Sequence, residues 1–296
     1  MTELHADRDA VRRYQCTEAK DARIITVHLD QAVADMLDHQ AMPEPVKMLC
    51  QELTAAACIL SNMLKFEGDM ILQTKSDGPV RLLMAECSSD GRIRATAQWD
   101  DAISATSFRG LMGTGYLAVT VEPSQGERYQ GIVPLEADSL AGCLNQYFEN
   151  SEQLDTRVWL ASDGVQCGGL LLQRLPSEGG YDSEAQDTWS TLEVLAQTVT
   201  SNELVESAGP LLAYRLFSEF EPRGLEAWPL HFGCSCSRER SARAIRALGE
   251  SEVVALFAEQ TQVQLDCHFC GQVYLYDQAD LEWLLSDQPP GSDTLQ

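Results

Sequence analysis

Basic side chains are scarce. The 296-residue chain carries 21 Lys and Arg against 45 Asp and Glu, a formal net charge of −24 with a pI near 4.4. Neutralising phosphates takes clustered Lys and Arg, so this balance excludes a generic cationic nucleic-acid binder. It also argues against docking on anionic lipid. No apolar run approaches the ~18 residues of a membrane span, and the opening MTELHADRDAVRRYQ has no apolar stretch of the signal-peptide kind. The expectation is a cytoplasmic protein with neither nucleic acid nor membrane as partner, in a compartment where thiols stay reduced. Catalytic signatures are missing too. GLMGTG at 110–115 lacks the Gly-Lys-Ser/Thr ending that reaches phosphate and metal, and reads as a turn or bulge between strands. Ser162, Asp163, His28 and His39 assemble no nucleophile–base pair, and no acid pair stands out, so no enzyme is expected.

What is present suffices for a core: 44% of residues are hydrophobic, and the length suggests two domains. Residues 1–176 read as an α+β domain of largely antiparallel sheet. Arg23–Leu29 and Met70–Thr74 are predicted strands, and a helix runs from near Pro45 to about Leu64. PVRLLMAECSSDGRIRATAQW reads as two strands around Ser-Asp-Gly, and GYLAVTVEP with RYQGIVPL as a second hairpin. Ser139–Glu149 has helical spacing, and TRVWLAS and GGLLLQRLP are two further strands. PSEGG at Pro176–Gly180 marks a boundary.

Residues 177–232 change character. Between 181 and 230, nine acids face only Arg215 and Arg223, while Trp189, Leu192, Leu195 and Val199 recur at helical spacing and LLAYRLF makes a second apolar segment. This is an amphipathic helical linker that must lay its stripe on something. Permanent packing on the first domain and conditional folding are both compatible with its composition. Residues 233–296 form a third unit, with two short helices (RERSARAIRALG and SEVVALFAEQ, Gly249 between them), a hairpin carrying CHFCG at its tip, and a frayed tail SDQPPGSDTLQ.

Cys234 and Cys236 stand thirty residues before Cys267 and Cys270. Two close pairs of thiolates suit tetrahedral zinc, whose ligands come from two short loops. A thioredoxin-like site at Cys267/Cys270 would need a βαβ setting with the first Cys opening a helix, whereas a strand follows Gly271. The predicted ligands are therefore Cys234, Cys236, Cys267 and Cys270, with His231 and His268 as bystanders. Arg238, Arg240, Arg243 and Arg246 either offset the charge of the thiolates or form a solvated helix face. A module of about 60 residues buries too little surface to be robust alone, and structural zinc contributes roughly 10–16 kcal/mol in small peptides, so metal binding and folding merge.

The segment HFGCSCSRERSARAIRALGESEV…VQLDCHFCGQVYLYDQADL resembles the C-terminal switch of the redox-regulated chaperones known as the 33-kDa heat shock protein, or 33-kDa chaperonin, family. FEGDMILQTKSDGP, QGERYQGIVPLEADSLAGCLNQYFENSEQL and LLAYRLFSEF extend the likeness over nearly the whole chain. The resemblance implies an ATP-independent holdase, inactive while reduced and zinc-bound. Oxidation would pair Cys234 with Cys236 and Cys267 with Cys270, release zinc, and unfold switch and linker, so that the protein captures unfolding clients, often as a homodimer. Rings that short contribute only roughly 1.5–2 kcal/mol each and join neither pair to the other, so the module should melt. The competing expectations are a static zinc-ribbon interaction module and, more distantly, a dithiol oxidoreductase. Cys16, Cys50, Cys58, Cys87, Cys143 and Cys167 fall outside the family pattern. Cys50 and Cys58 are expected to be buried, while Cys87 and Cys167, near turns, are the expected exposed thiols.

Overall fold

Small side chains decide the centre of the fold. The computed structural model describes residues 8–16, 22–64, 66–151, 154–176 and 183–286, and the chain divides into two units, Met1–Gly233 and Cys234–Gln296. The first unit opens with β1 (Ala10–Cys16), β2 (Ala22–Leu29), α1 (Gln31–Leu37) and the long α2 (Glu44–Met63). Pro45 sits in the first turn of α2, where its missing N–H is no loss. Every residue from Leu53 to Leu60 is buried, and a helix covered all round must lie inside. Ala55, Ala56, Ala57 and Cys58 let its neighbours approach closely.

Those neighbours are two sheets. The chain continues through β3 (Gly68–Ser76), β4 (Val80–Ser88), β5 (Arg92–Trp99), α3 (Phe108–Met112), β6 (Gly115–Pro123), β7 (Tyr129–Pro134), α4 (Leu140–Ser151), β8 (Thr156–Ser162) and β9 (Cys167–Arg174). It then forms α5 (Ser183–Gln197), α6 (Ser201–Glu206), α7 (Gly209–Phe217), β10 (Pro222–Gly224), β11 (Trp228–Pro229) and β12 (His231–Phe232). One sheet has the order β10-β1-β2-β9-β8, with β11 also on β1. The other runs β12-β5-β4-β3-β6-β7. All pairings are antiparallel except β12 on β5. Helix α2 packs on β2, β8 and β9 of the first sheet and on β3, β4 and β5 of the second.

Side-chain alternation then gives the first sheet a second apolar face. Val11, Ile25 and Leu171 point into the core around α2, whereas Tyr14, Ile24, Leu170 and Leu172 join a separate core. Trp189, Leu192, Leu204, Leu212 and Phe217 cover that second face. The amphipathic stripe thus lies on the first sheet, and short strands β10 to β12 carry the chain back along the edges of both sheets. The boundary at Pro176–Gly180 falls mostly outside the described residues, as does the tail from 287 onward.

Two local expectations change. Cys87 and Cys167 are buried, because each side chain points inward from its strand although each lies near a turn. GLMGTG is partly helical: Ser107 accepts a hydrogen bond from the Gly110 amide to start α3, and Gly113, at φ +60°, ends it beside Asp77. No helix among the described residues is long and apolar enough to cross a membrane.

The second unit is built of α8 (Arg238–Arg246), α9 (Glu250–Glu259), the hairpin β13 (Gln262–Asp266) and β14 (Val273–Asp277), and α10 (Leu281–Leu285). The Ser237 side chain accepts from the Arg240 amide to cap α8, and Gly249, at φ +92°, separates α8 from α9. Its core among the described residues is Ala242, Ile245, Val253, Phe257, Val263, Tyr276 and Leu284.

Candidate metal centre

Cys234 and Cys236 precede α8, and Cys267 and Cys270 occupy the tip between β13 and β14. The tip closes on itself: the Gly271 amide donates to the Cys267 carbonyl at 2.8 Å and the Cys267 amide to the Gln272 carbonyl at 2.9 Å. Gly271 takes φ +66°, a left-handed conformation that suits glycine there. Both loops thereby aim their thiols at one point. All four sulfurs lie within 4.8 Å of one another, and among the described residues they are the one group of potential ligands so gathered.

Two close sulfur contacts cross between the loops. Cys234 Sγ lies 3.6 Å from Cys267 Sγ, and Cys236 Sγ lies 3.3 Å from Cys270 Sγ. A tetrahedral tetrathiolate zinc with Zn–S near 2.3 Å sets sulfur–sulfur edges of about 3.8 Å. The cage therefore fits such an ion with small adjustments, and the all-thiolate donor set suits zinc. His268 in the tip is exposed, and His231 lies in β12 of the first unit, so neither joins the group.

The surroundings distinguish the four thiols. Burial pushes Cys236 up, but hydrogen bonding outweighs it and lowers its pKa, the Tyr274 hydroxyl contributing most at 3.1 Å. Burial raises Cys234 and Cys270. Tyr274 is the functional neighbour that motif reading missed; the alternation of VYLYD puts it on the same face as core residue Tyr276, and that was the available signal.

The four arginines separate by role. Arg240 donates to the Ser235 carbonyl at 2.8 Å and to the Ser235 hydroxyl, fixing the loop between Cys234 and Cys236. Arg238 instead pairs with Asp280 at 2.6 Å and stacks 4.6 Å over the Tyr276 ring. Arg246 donates to the Trp283 carbonyl and lies over its ring, while Arg243 is exposed. Of the two expected roles, the solvated helix face describes Arg243, while Arg240 shapes the loop and Arg238 and Arg246 pack on rings.

The first unit has its own open apolar cleft, about 380 Å³, with Leu60, Met63, Val121, Tyr129, Tyr147 and Phe148 in its walls. It has room for an apolar side chain or two. Nothing in the strand and helix patterns marked it in advance, since its walls come from α2, β3, β6, β7 and α4.

Known proteins share this architecture. A family model described as Hsp33 protein matches residues 9–277. The 33 kDa chaperonin of Ectopseudomonas mendocina is 44% identical over 270 residues, covering 90% of this chain and 92% of that one. The 33 kDa chaperonin of Methylobacillus flagellatus is 39% identical over 271 residues, covering 90% and 92%. The crystal structure of the 33 kDa chaperonin from Thermotoga maritima matches with a TM-score of 0.79 at 20% identity, covering 93% of this chain and 97% of that one, a likeness of fold. With a family model matching residues 9–277 and relatives 39% and 44% identical over 90% of its length, the chain belongs to the Hsp33 family of chaperones.

Proposed function

We propose that the chain is an ATP-independent holdase whose capture of unfolding proteins is switched by oxidation. In the resting state Cys234, Cys236, Cys267 and Cys270 are the ligands of one zinc ion, which when bound clamps the two loops together. The observation that supports this most is the meeting of four sulfurs from two loops in a unit with so small a core of its own. A peroxide takes two electrons from each close pair of zinc-bound thiolates; its O–O bond breaks, the Cys234–Cys236 and Cys267–Cys270 disulfides form, and the two peroxide oxygens leave as hydroxide, which solvent protonates to water. No thiolate then remains as a ligand, and neither bond joins residues 234–236 to 267–270. Pairing across the loops, between sulfurs that also lie close, would preserve the clamp instead, so the switch depends on oxidation within each pair.

With the clamp gone, seven buried side chains are too few to keep the unit folded. Disorder passes along the chain into the linker, residues 177–232, between an N-terminal domain at 1–176 and the switch at 233–296. Release of Trp189, Leu212 and Phe217 from the first sheet would give clients an apolar surface. The activated protein pairs with a second copy, and it acts in the cytoplasm on unfolded proteins, with no nucleic acid or membrane as partner.

The test treats zinc-loaded protein with peroxide under mild heat, or with hypochlorous acid, and follows zinc release and aggregation of an unfolding client together. Metal loss with suppressed aggregation and disulfides within each pair is expected. Retained zinc with no suppression points to the static interaction module, and turnover of a small disulfide substrate to an oxidoreductase.

A further inference from the structure

Two cysteines outside the metal centre share one cavity wall. Cys58, on the central helix α2, and Cys87, on β4, are both buried, and both line a small cavity of about 10 Å³ together with Val11, Trp228 and Leu230. Trp228 and Leu230 come from the last stretch of chain before the metal centre, so late residues cover an early thiol pair.

That cover is lightly fastened. β11 pairs with β1 at two residues, and β12 with β5 at two. Around them the Leu230 amide donates to the Asp9 carbonyl at 2.7 Å, His231 to Gly91 at 3.0 Å and Gly233 to Ile93 at 3.1 Å. Pro229 rests directly on the β4–β5 turn, where a Cβ on Gly91 would come within 2.2 Å of its carbonyl oxygen. Short edge strands of this kind open at lower free energy than the core they cover. While they are seated, burial raises the Cys58 pKa well above the usual thiol value, and an unionised thiol is inert.

We infer that Cys58 and Cys87 are a second dithiol site, gated by the Trp228–Phe232 segment and oxidised to an intramolecular disulfide when that segment lifts. The two thiols surrender two protons and two electrons to a two-electron oxidant, a peroxide or hypohalous acid. An S–S bond forms, and a peroxide leaves as two waters. The bond ties α2 to β4 and closes a loop of about 30 residues inside the unit that remains folded, which narrows its unfolded ensemble. Opening of the gate by oxidation rests on the switch proposed above; the thiol pair and its cover do not.

The test uses full-length, zinc-loaded, reduced protein with Cys50→Ala, so that the tryptic peptide Met48–Lys65 holds one cysteine. Timed labelling with N-ethylmaleimide, then digestion and mass spectrometry, reads Cys58 there and Cys87 in Leu82–Arg92. Both thiols should resist labelling before oxidation. After peroxide has released the zinc, the two peptides should appear disulfide-linked in most molecules. Zinc lost and hydrogen exchange fast at 228–232, with both thiols still reduced, would overturn the site. A second arm bypasses the switch: Trp228→Ala with Leu230→Ala, zinc still bound, should raise labelling of both cysteines at least about tenfold, and peroxide should link them with the metal retained. Unchanged labelling there overturns the gate, whatever the switch does. Leu230→Ala alone gives the same reading if the double variant does not hold zinc.

Discussion

A single hydroxyl distinguishes one of the four sulfurs. Tyr274 donates to Cys236 at 3.1 Å, and groups that touch a metal ligand set its basicity as well as its orientation. Tyr274→Phe should weaken zinc binding about tenfold in competition with a chromogenic chelator, with the circular dichroism of the zinc-loaded protein unchanged; unaltered affinity would make the contact incidental. Elsewhere burial is the stronger force. It pushes Cys16 up to about 11 and Cys50 up to about 12, so both stay protonated and pack as small apolar groups. On α2, burial raises Glu52 to about 7. Between the ordinary carboxylate range and pH 7 the folded protein keeps a proton that the unfolded chain gives up, so this group's effect on stability worsens as pH rises through that window and is constant above it. Glu52→Gln should therefore match the parent near pH 4 and exceed it by up to about 3 kcal/mol in urea unfolding above pH 8. Equal stability at both pH values would refute the shift.

At the scale of the element, the linker helices differ in how they are held. Thr200 and Glu203 form a reciprocal cap at the start of α6: the Thr200 hydroxyl accepts from the Glu203 amide at 3.2 Å, and the Glu203 carboxylate accepts from the Thr200 amide at 3.0 Å. Thr200→Ala should cost about 1 kcal/mol and speed hydrogen exchange in Ser201–Glu206, while zinc affinity stays at the parent value. Altered affinity would mean that the metal centre senses α6. The elements that patterns revealed are those with a turn signal, clean alternation or a helix start of their own. The β4–β5 and β6–β7 hairpins and helix α2 follow from Ser-Asp-Gly, from alternation and from Pro45. β1 was not legible, because Arg12 and Arg13 interrupt its alternation; the Arg13 guanidinium is held by Asn62, forty-nine residues away. β10 to β12 are two or three residues long and exist through pairing with strands more than 130 residues earlier, which no local pattern records. Of the metal centre, the four cysteines were legible from spacing. The adjacency of Cys234 to Cys267 and of Cys236 to Cys270 was not, since it depends on where α8 and the β13–β14 tip place their loops.

For the whole molecule, the two units draw stability from different sources. Residues up to Gly233 bury two cores, one around α2 and one under α5 to α7. The unit from Cys234 has one small core and one sulfur cage. A net charge of −24 helps keep a partly opened chain soluble through mutual repulsion, so loss of one unit need not end in precipitation. Metal and oxidation can then be separated experimentally. Under a strong thiol reductant no disulfide forms, and a chelator that outcompetes the cage removes only the ion. Structural zinc contributes roughly 10–16 kcal/mol in small peptides, more than a domain of about 60 residues has in reserve. Chelation of the reduced protein should therefore abolish hydrogen-exchange protection in α8, α9, β13 and β14 while α2 and β3 to β9 keep theirs, and added zinc should restore it. Protection of Arg238–Asp277 that survives metal removal would mean that the seven-residue core and the Arg238–Asp280 pair suffice, and that sulfur oxidation opens nothing.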